Sequence, residues 1–255
     1  MDLALWVYPV LFLTGFAAGL VDAVAGGGGI ITLPVLLNLG LPVSVALGTN
    51  KLQASFGSVT AAWHYTRRGL VDLRACGRGI LATLVGALLG AWVVRSIDGQ
   101  VLGRLIPWLL AAIVTYMIFR PHVGGEDRPA RMGEGKFALL FGLGLGFYDG
   151  FFGPGTGSFW TIACVLLLGY NFSKATGYTK VMNATSNLAA LALFASAGQF
   201  HLAAGLVMAV GQVTGARLGA GLVVTRGARF VRPLFLTMAI LTIARLIWIN
   251  FIRSR

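Results

Sequence analysis

The chain has 255 residues, of which 57% are hydrophobic and only 11% charged. An average soluble domain carries about a quarter charged residues, so this composition, with a mean hydropathy of +0.82, argues against a soluble enzyme and for lipid. The net charge of +12 would suit nucleic acid, but most of its arginines and lysines stand between apolar runs, as in cytoplasmic loops under the positive-inside rule; anionic lipid headgroups are partner enough for them.

In chain order, apolar runs predicted to span the bilayer cover Leu3–Asp22, Lys51–Tyr65, Gly79–Val94, Leu105–Phe119, Lys136–Tyr148, Lys180–Ala197, Leu202–Val224 and Pro233–Ile252. Two apolar pieces, Ile30–Leu39 and Gly157–Leu168, are shorter. The first run ends in "DAVAG", which resembles a cleavage site, but a signal peptide needs a basic start and the only early charge is Asp2. A first membrane helix is therefore expected there. Cys76 and Cys164 lie in different halves and form no motif; they read as small apolar fillers. His64, His122 and His201 are scattered, so neither a metal site, a catalytic set nor a cofactor is expected.

Internal repeats organise the chain. A shift of 127 residues carries Gly15, Gly19, Asp22, Gly26 and Gly28 onto Gly142, Gly146, Asp149, Gly153 and Gly155. After a gap of two, "GLPVSVALGTNK" (Gly40–Lys51) meets "GYNFSKATGYTK" (Gly169–Lys180) with five of twelve positions alike, where chance gives about one. "GALLGA" (Gly86–Ala91) then meets "GARLGA" (Gly215–Ala220). The expected organisation is a first repeat over residues 1–120, a polar linker over 121–135 and a second repeat over 136–255.

The loop after Tyr65 holds Arg67, Arg68, Arg74 and Arg78, while its counterpart Ser196–Gly205 holds no Lys or Arg. Opposite charge bias puts equivalent loops on opposite sides, which makes the repeats inverted. Counting the short pieces as spans gives an all-α membrane protein of about ten segments, five plus five, with both termini outside. If those pieces re-enter without crossing, four plus four parallel repeats would put Arg226, Arg229 and Arg232 outside.

The run Gly26, Gly27, Gly28 and Gly29 is neither a Walker loop nor a dinucleotide fingerprint, since no Lys-Ser/Thr follows and no strand precedes. A linker reading fails because its counterpart, "DGFFGPGTGSFW" (Asp149–Trp160), repeats the acid and glycines inside another apolar core. Helices broken at membrane depth remain, with Gly153, Pro154, Gly155, Thr156 and Gly157 as the second break. Freed backbone groups survive there only if buried in protein or facing a wet cavity. Paired breaks in inverted repeats are how secondary transporters build substrate sites, and helix restarts at Ile30 and at Gly157–Ser158 would aim N–H groups at an anion. The plainer alternative is tight helix packing.

Asp22 and Asp149 are the only acids inside the apolar runs. Lys51 and Lys180 match each other, each expected to open the helix after a break. Behind them run Ser55 and Ser58 in one half, Asn183 and Asn187 in the other, at helical spacing. Buried charges usually mark pathways or ion relays. Helix capping or ion coupling by the acids, and snorkelling or substrate binding by the lysines, stay open at this point. Arg217 reads as either cavity-lining or interfacial, Arg245 as snorkelling, and the pairs Gly86/Gly90 and Gly215/Gly219 as close helix contacts.

"AGLVDAVAGGGGIITLPVLL" (Ala18–Leu37), "ALGTNKLQASFGSVTAAWHY" (Ala46–Tyr65) and "GFYDGFFGPGTGSFW" (Gly146–Trp160) together resemble the sulfite exporter TauE/SafE family, also called TSUP or DUF81. The resemblance covers nearly the whole chain. It implies a multi-pass transporter of the bacterial inner membrane for small anions such as sulfite, sulfoacetate and related organosulfur species. It carries to Gly26–Gly29, Gly153–Gly157, Asn50, Lys51, Gln53 and Lys180. Tyr178 and Thr179 replace Thr49 and Asn50 in the second half, so symmetric roles are not implied there. A passive anion channel and a non-transporting scaffold are the rival classes. The expected partners are a small anion and the lipid bilayer, with a homodimer as one option for assembly and no nucleic acid.

Overall fold

The computed structural model describes residues 3–119 and 126–226. The expected span Pro233–Ile252, together with His122, Arg229, Arg232 and Arg245, lies outside the described residues. All regular structure among the described residues is helical: α1 (Val7–Ala25), α2 (Gly28–Asn38), α3 (Val43–Arg67), α4 (Gly77–Ser96), α5 (Gly99–Phe119), α6 (Glu134–Phe151), α7 (Thr156–Ala163), α8 (Phe172–Ser196) and α9 (Leu202–Arg226). A π-helical turn, Cys164–Leu168, continues α7.

Apolar composition located the helices, but local chemistry sets their ends. Lys51 and Lys180 do not open helices as expected. Each lies eight residues past the first of its helix, Val43 or Phe172. Pro42, extended at ψ 145°, sends the chain into α3, and the Asn171 side chain caps α8 by accepting the Lys174 N–H at 3.0 Å. Both are ordinary helix-start devices, each supplied by a single residue that a hydropathy reading passes over. The restarts fall at Gly28 and Thr156, within two residues of expectation.

Val7–Val24, Gly77–Ser96 and Leu202–Val223 are long and apolar enough to cross a membrane, and Gly28–Asn38, Gly99–Ile113 and Thr156–Leu168 are shorter apolar helices. The chain is thus a membrane protein, all-helical among the described residues. Many large apolar side chains face outward, among them Leu13, Leu81, Leu89, Leu140 and Val210, with Trp6, Trp63, Trp92 and Trp108, while others such as Trp160, Phe137 and Leu33 fill the interior. Its polar ones are gathered inside, including Asn50, Lys51, Gln53, Lys180 and Asn187. That reversal is what a lipid solvent demands.

The two sequence halves interleave. α9 packs along α1 and α3, α4 packs along α6 and α8, and α3 meets α8 at the centre. Small residues allow the close approaches. A Cβ on Gly86 would lie 2.4 Å from the Leu143 carbonyl oxygen, and one on Gly215 2.1 Å from that of Phe16. Both helix pairs run in parallel: Ala82, Gly86 and Gly90 meet Gly142, Leu143 and Phe147 in turn, while Gly15 and Gly19 meet Met208 and Gln212.

The segment before α6 ties down the far end of α7. The Arg128 N–H donates to the Gly169 carbonyl at 2.7 Å, and the Arg131 N–H to that of Leu167 at 2.8 Å. The Tyr170 hydroxyl donates to Glu134 at 3.3 Å. The end of the α7 helix therefore returns to the level where α6 starts, and the pair forms a hairpin whose tip is the second break.

Candidate functional site

Each break is a short, tightly specified turn. α1 stops because Gly26 turns left-handed (φ 69°), its N–H donating to the Asp22 carbonyl at 2.9 Å. After α6, Gly153 (φ 97°) and Gly155 (φ 82°) flank Pro154. L-residues with a Cβ pay roughly 1–2 kcal/mol for such a conformation, so glycine is the natural occupant. The Thr156 hydroxyl donates to the Gly153 carbonyl at 2.6 Å, and that of Tyr148 to the Pro154 carbonyl at 2.7 Å.

The two breaks touch. The Ser158 N–H donates to the Gly26 carbonyl at 3.2 Å. A Cβ on Gly26 would lie 2.4 Å from Gly157, and one on Gly29 3.2 Å from Pro154. The glycines therefore serve close packing and helix interruption together.

Around this contact stand the four charged residues, paired across the halves. The Lys51 ammonium lies 2.7 Å from Asp149 Oδ1, donates to the Asp149 carbonyl as well, and reaches Asn187 Oδ1 at 3.2 Å. The second Asp149 oxygen accepts from the Ser186 hydroxyl. Lys180 pairs with Asp22 Oδ2 at 2.9 Å. Asp22 Oδ1 accepts the Gly28 N–H at 3.3 Å, so at Asp22 capping of α2 and ion pairing coexist. The Asp149 carboxylate is taken by Lys51 and Ser186 instead. Snorkelling does not describe either lysine: Lys51 is 1% exposed and Lys180 0%.

A second matched feature lies beside each pair. Thr32 donates to Asn50 Oδ1 at 2.5 Å, and Gln53 Nε2 donates to the same oxygen at 2.9 Å. At the corresponding positions Thr161 and Thr179 share a hydrogen bond of 3.1 Å. Asn183 is buried against Gly157, and its side-chain oxygen has no partner among the described residues. Ser55 and Ser58 bond back to the carbonyls of Lys51 and Ala54, leaving the pairs to other side chains. Arg217 is exposed. Sequence reasoning missed Ser186, Thr32 and Thr161 as site neighbours, because hydroxyls inside helices usually bond their own backbone. Ser186 stands beside Asn187 in the polar row, which was the available signal.

A separate cavity of about 360 Å³ lies where α4, α6 and α8 begin, with Arg74, Arg78, Lys174, Glu134, Tyr170 and Cys76 on its wall. Cys76 and Cys164 are both free and buried. No group of His, Cys, Asp or Glu among the described residues could hold a metal ion.

Broken helices that meet among buried, paired charges inside an apolar shell are an arrangement that suits a membrane transporter. The chain belongs to the sulfite exporter TauE/SafE family, whose model matches residues 11–246. It is 44% identical over 255 residues to a probable membrane transporter protein of Haemophilus influenzae, covering 98% of this chain and all of the relative. The probable membrane transporter protein YfcA of Escherichia coli K12 is 43% identical, covering 94% of this chain and 89% of its own length. A probable membrane transporter protein of a Sinorhizobium species is 41% identical over 96% of this chain and 94% of its own. No solved structure matches the chain.

Proposed function

We propose that this protein is a secondary transporter moving a small anion across a bacterial inner membrane by alternating access. Sulfite or another sulfur-containing anion, such as an organosulfonate, is the substrate. The observation that carries the reading is the crossed arrangement of Lys51–Asp149 and Lys180–Asp22 around two touching helix breaks. Paired breaks at matching places are the usual site of secondary transporters, and buried cations beside them suit an anion.

The return of α7 and its continuation to the start of α6 supports counting the short helices as crossing segments, and an odd number of crossings per half makes the halves inverted. About ten membrane segments then follow, with the arginine-rich loops and the linker 121–135 on the cytoplasmic side and both termini opposite. Because α9 packs on α1 and α4 on α6, each moving body in this scheme contains helices of both sequence halves. No residue is assigned a catalytic role.

Uptake of radiolabelled sulfite and sulfoacetate into proteoliposomes tests the reading. Accumulation against a gradient is expected, since a channel cannot concentrate its ion. Lys51→Ala combined with Lys180→Ala is expected to abolish it; unchanged uptake would remove the site assignment.

A further inference from the structure

The two ion pairs occupy matching positions but not matching surroundings. A lysine ammonium has three N–H donors, and Lys51 places them on Asp149 Oδ1, the Asp149 carbonyl and Asn187. Ser186 fills the other Asp149 oxygen. Lys180, by contrast, reaches one acceptor among the described residues, Asp22 Oδ2. The Asp22 side chain is 16% exposed, against 4% for that of Asp149. The difference is written in the repeat. Ser186 and Asn187 correspond to Gly57 and Ser58 in the first half. Gly57 has no side chain and lies against Gln212, while Ser58 donates to its own helix at Ala54.

We infer that Lys180–Asp22 is the pair that opens, Lys180 receiving the substrate anion as Asp22 takes up one proton, while Lys51–Asp149 stays closed and holds the two breaks together. This rests on the anion-transport reading above. Net charge in an apolar interior is costly, so the cluster keeps its charge constant: one singly charged anion enters as one proton neutralises Asp22. The proton goes onto an Asp22 oxygen; the ammonium keeps its own protons and turns an N–H from Asp22 to the anion. Asn183, three residues on from Lys180, turns its amide nitrogen toward Gly157 of the second break. The titratable groups facing Asp22 are Lys180 of α8 and Tyr65 of α3, whose hydroxyl donates to the Ala23 carbonyl at 3.0 Å. α2 and α7 contribute no charged side chain there, and Arg217 of α9 is exposed.

The test uses the full chain in detergent with methanesulfonate, which stays singly charged throughout, from about pH 5.5 to about pH 8. One proton taken up per anion bound makes affinity rise about tenfold per unit fall in pH, and proton uptake is read directly with a dye in weak buffer. Asp22→Asn is expected to bind with no pH dependence and to regain with anion the thermal stability it loses without it. Asp149→Asn is expected to keep the wild-type slope. Binding without proton uptake, a slope that persists in Asp22→Asn, or a slope lost only in Asp149→Asn overturns the inference and leaves anion transport standing. Should Asp22→Asn fail to fold, proton uptake by the wild type decides. Binding of neither methanesulfonate nor sulfite removes the transport reading itself.

Discussion

Lys51→Met removes a cation from a place that water does not reach. Lys51 is 1% exposed and Asp149 3%, so the substitution strands a carboxylate whose remaining side-chain donor is Ser186. Breaking a buried ion pair from one side costs about 3–5 kcal/mol, because the orphaned charge stays buried. For a chain of this size each kcal/mol moves the melting temperature by roughly 2–4 °C, so a fall of about 10 °C is expected. Lys51→Met combined with Asp149→Asn removes both charges and leaves Ser186 a neutral amide partner. It should recover at least half of the loss. Melting of the detergent-purified protein, followed by its size-exclusion profile, measures both. A single variant within about 1 kcal/mol of wild type, or a double variant no better than the single, would refute the view that this pair is a closed electrostatic unit.

Two further predictions concern backbone and thiol. Gly26→Ala places a methyl 2.4 Å from Gly157 at φ 69° and should leave little folded protein by size exclusion. Gly40→Ala meets nothing within 4 Å at φ 79°, so it should cost only the roughly 1–2 kcal/mol of left-handed strain; equal losses for the two would contradict the contact between the breaks. Burial first, then the carboxylates of Asp72 and Glu134, push the Cys76 thiol up from 9.0 to about 11. Only the thiolate reacts, so maleimide labelling at neutral pH should run about a hundredfold slower than for an ordinary thiol and rise about tenfold per pH unit until near pH 11. A rate already flat near pH 9 would contradict that environment.

Much of this molecule was legible one residue at a time. Apolar runs, glycine and proline placement and the shift of 127 residues point to broken helices and single out Asp22, Asp149, Lys51 and Lys180, since each signal is local or a comparison of the chain with itself. Helix starts were less legible: Pro42 and Asn171 each act as one residue at one position, through a fixed backbone turn and a single side-chain cap, which no run of composition reveals.

Which acid meets which lysine belonged to the tertiary structure. Asp22 and Lys51 are close in sequence, as are Asp149 and Lys180, yet the pairs form the other way round. Packing decides this, because α9 lies on α1, α4 on α6, and α3 against α8, which brings each lysine to the opposite half. The inequality of the pairs was likewise invisible in the repeat. Gly57 and Ser58 differ from Ser186 and Asn187 in plain sight, but only the folded chain shows that these positions complete the coordination of Lys51 and Asp149 and not of Lys180 and Asp22.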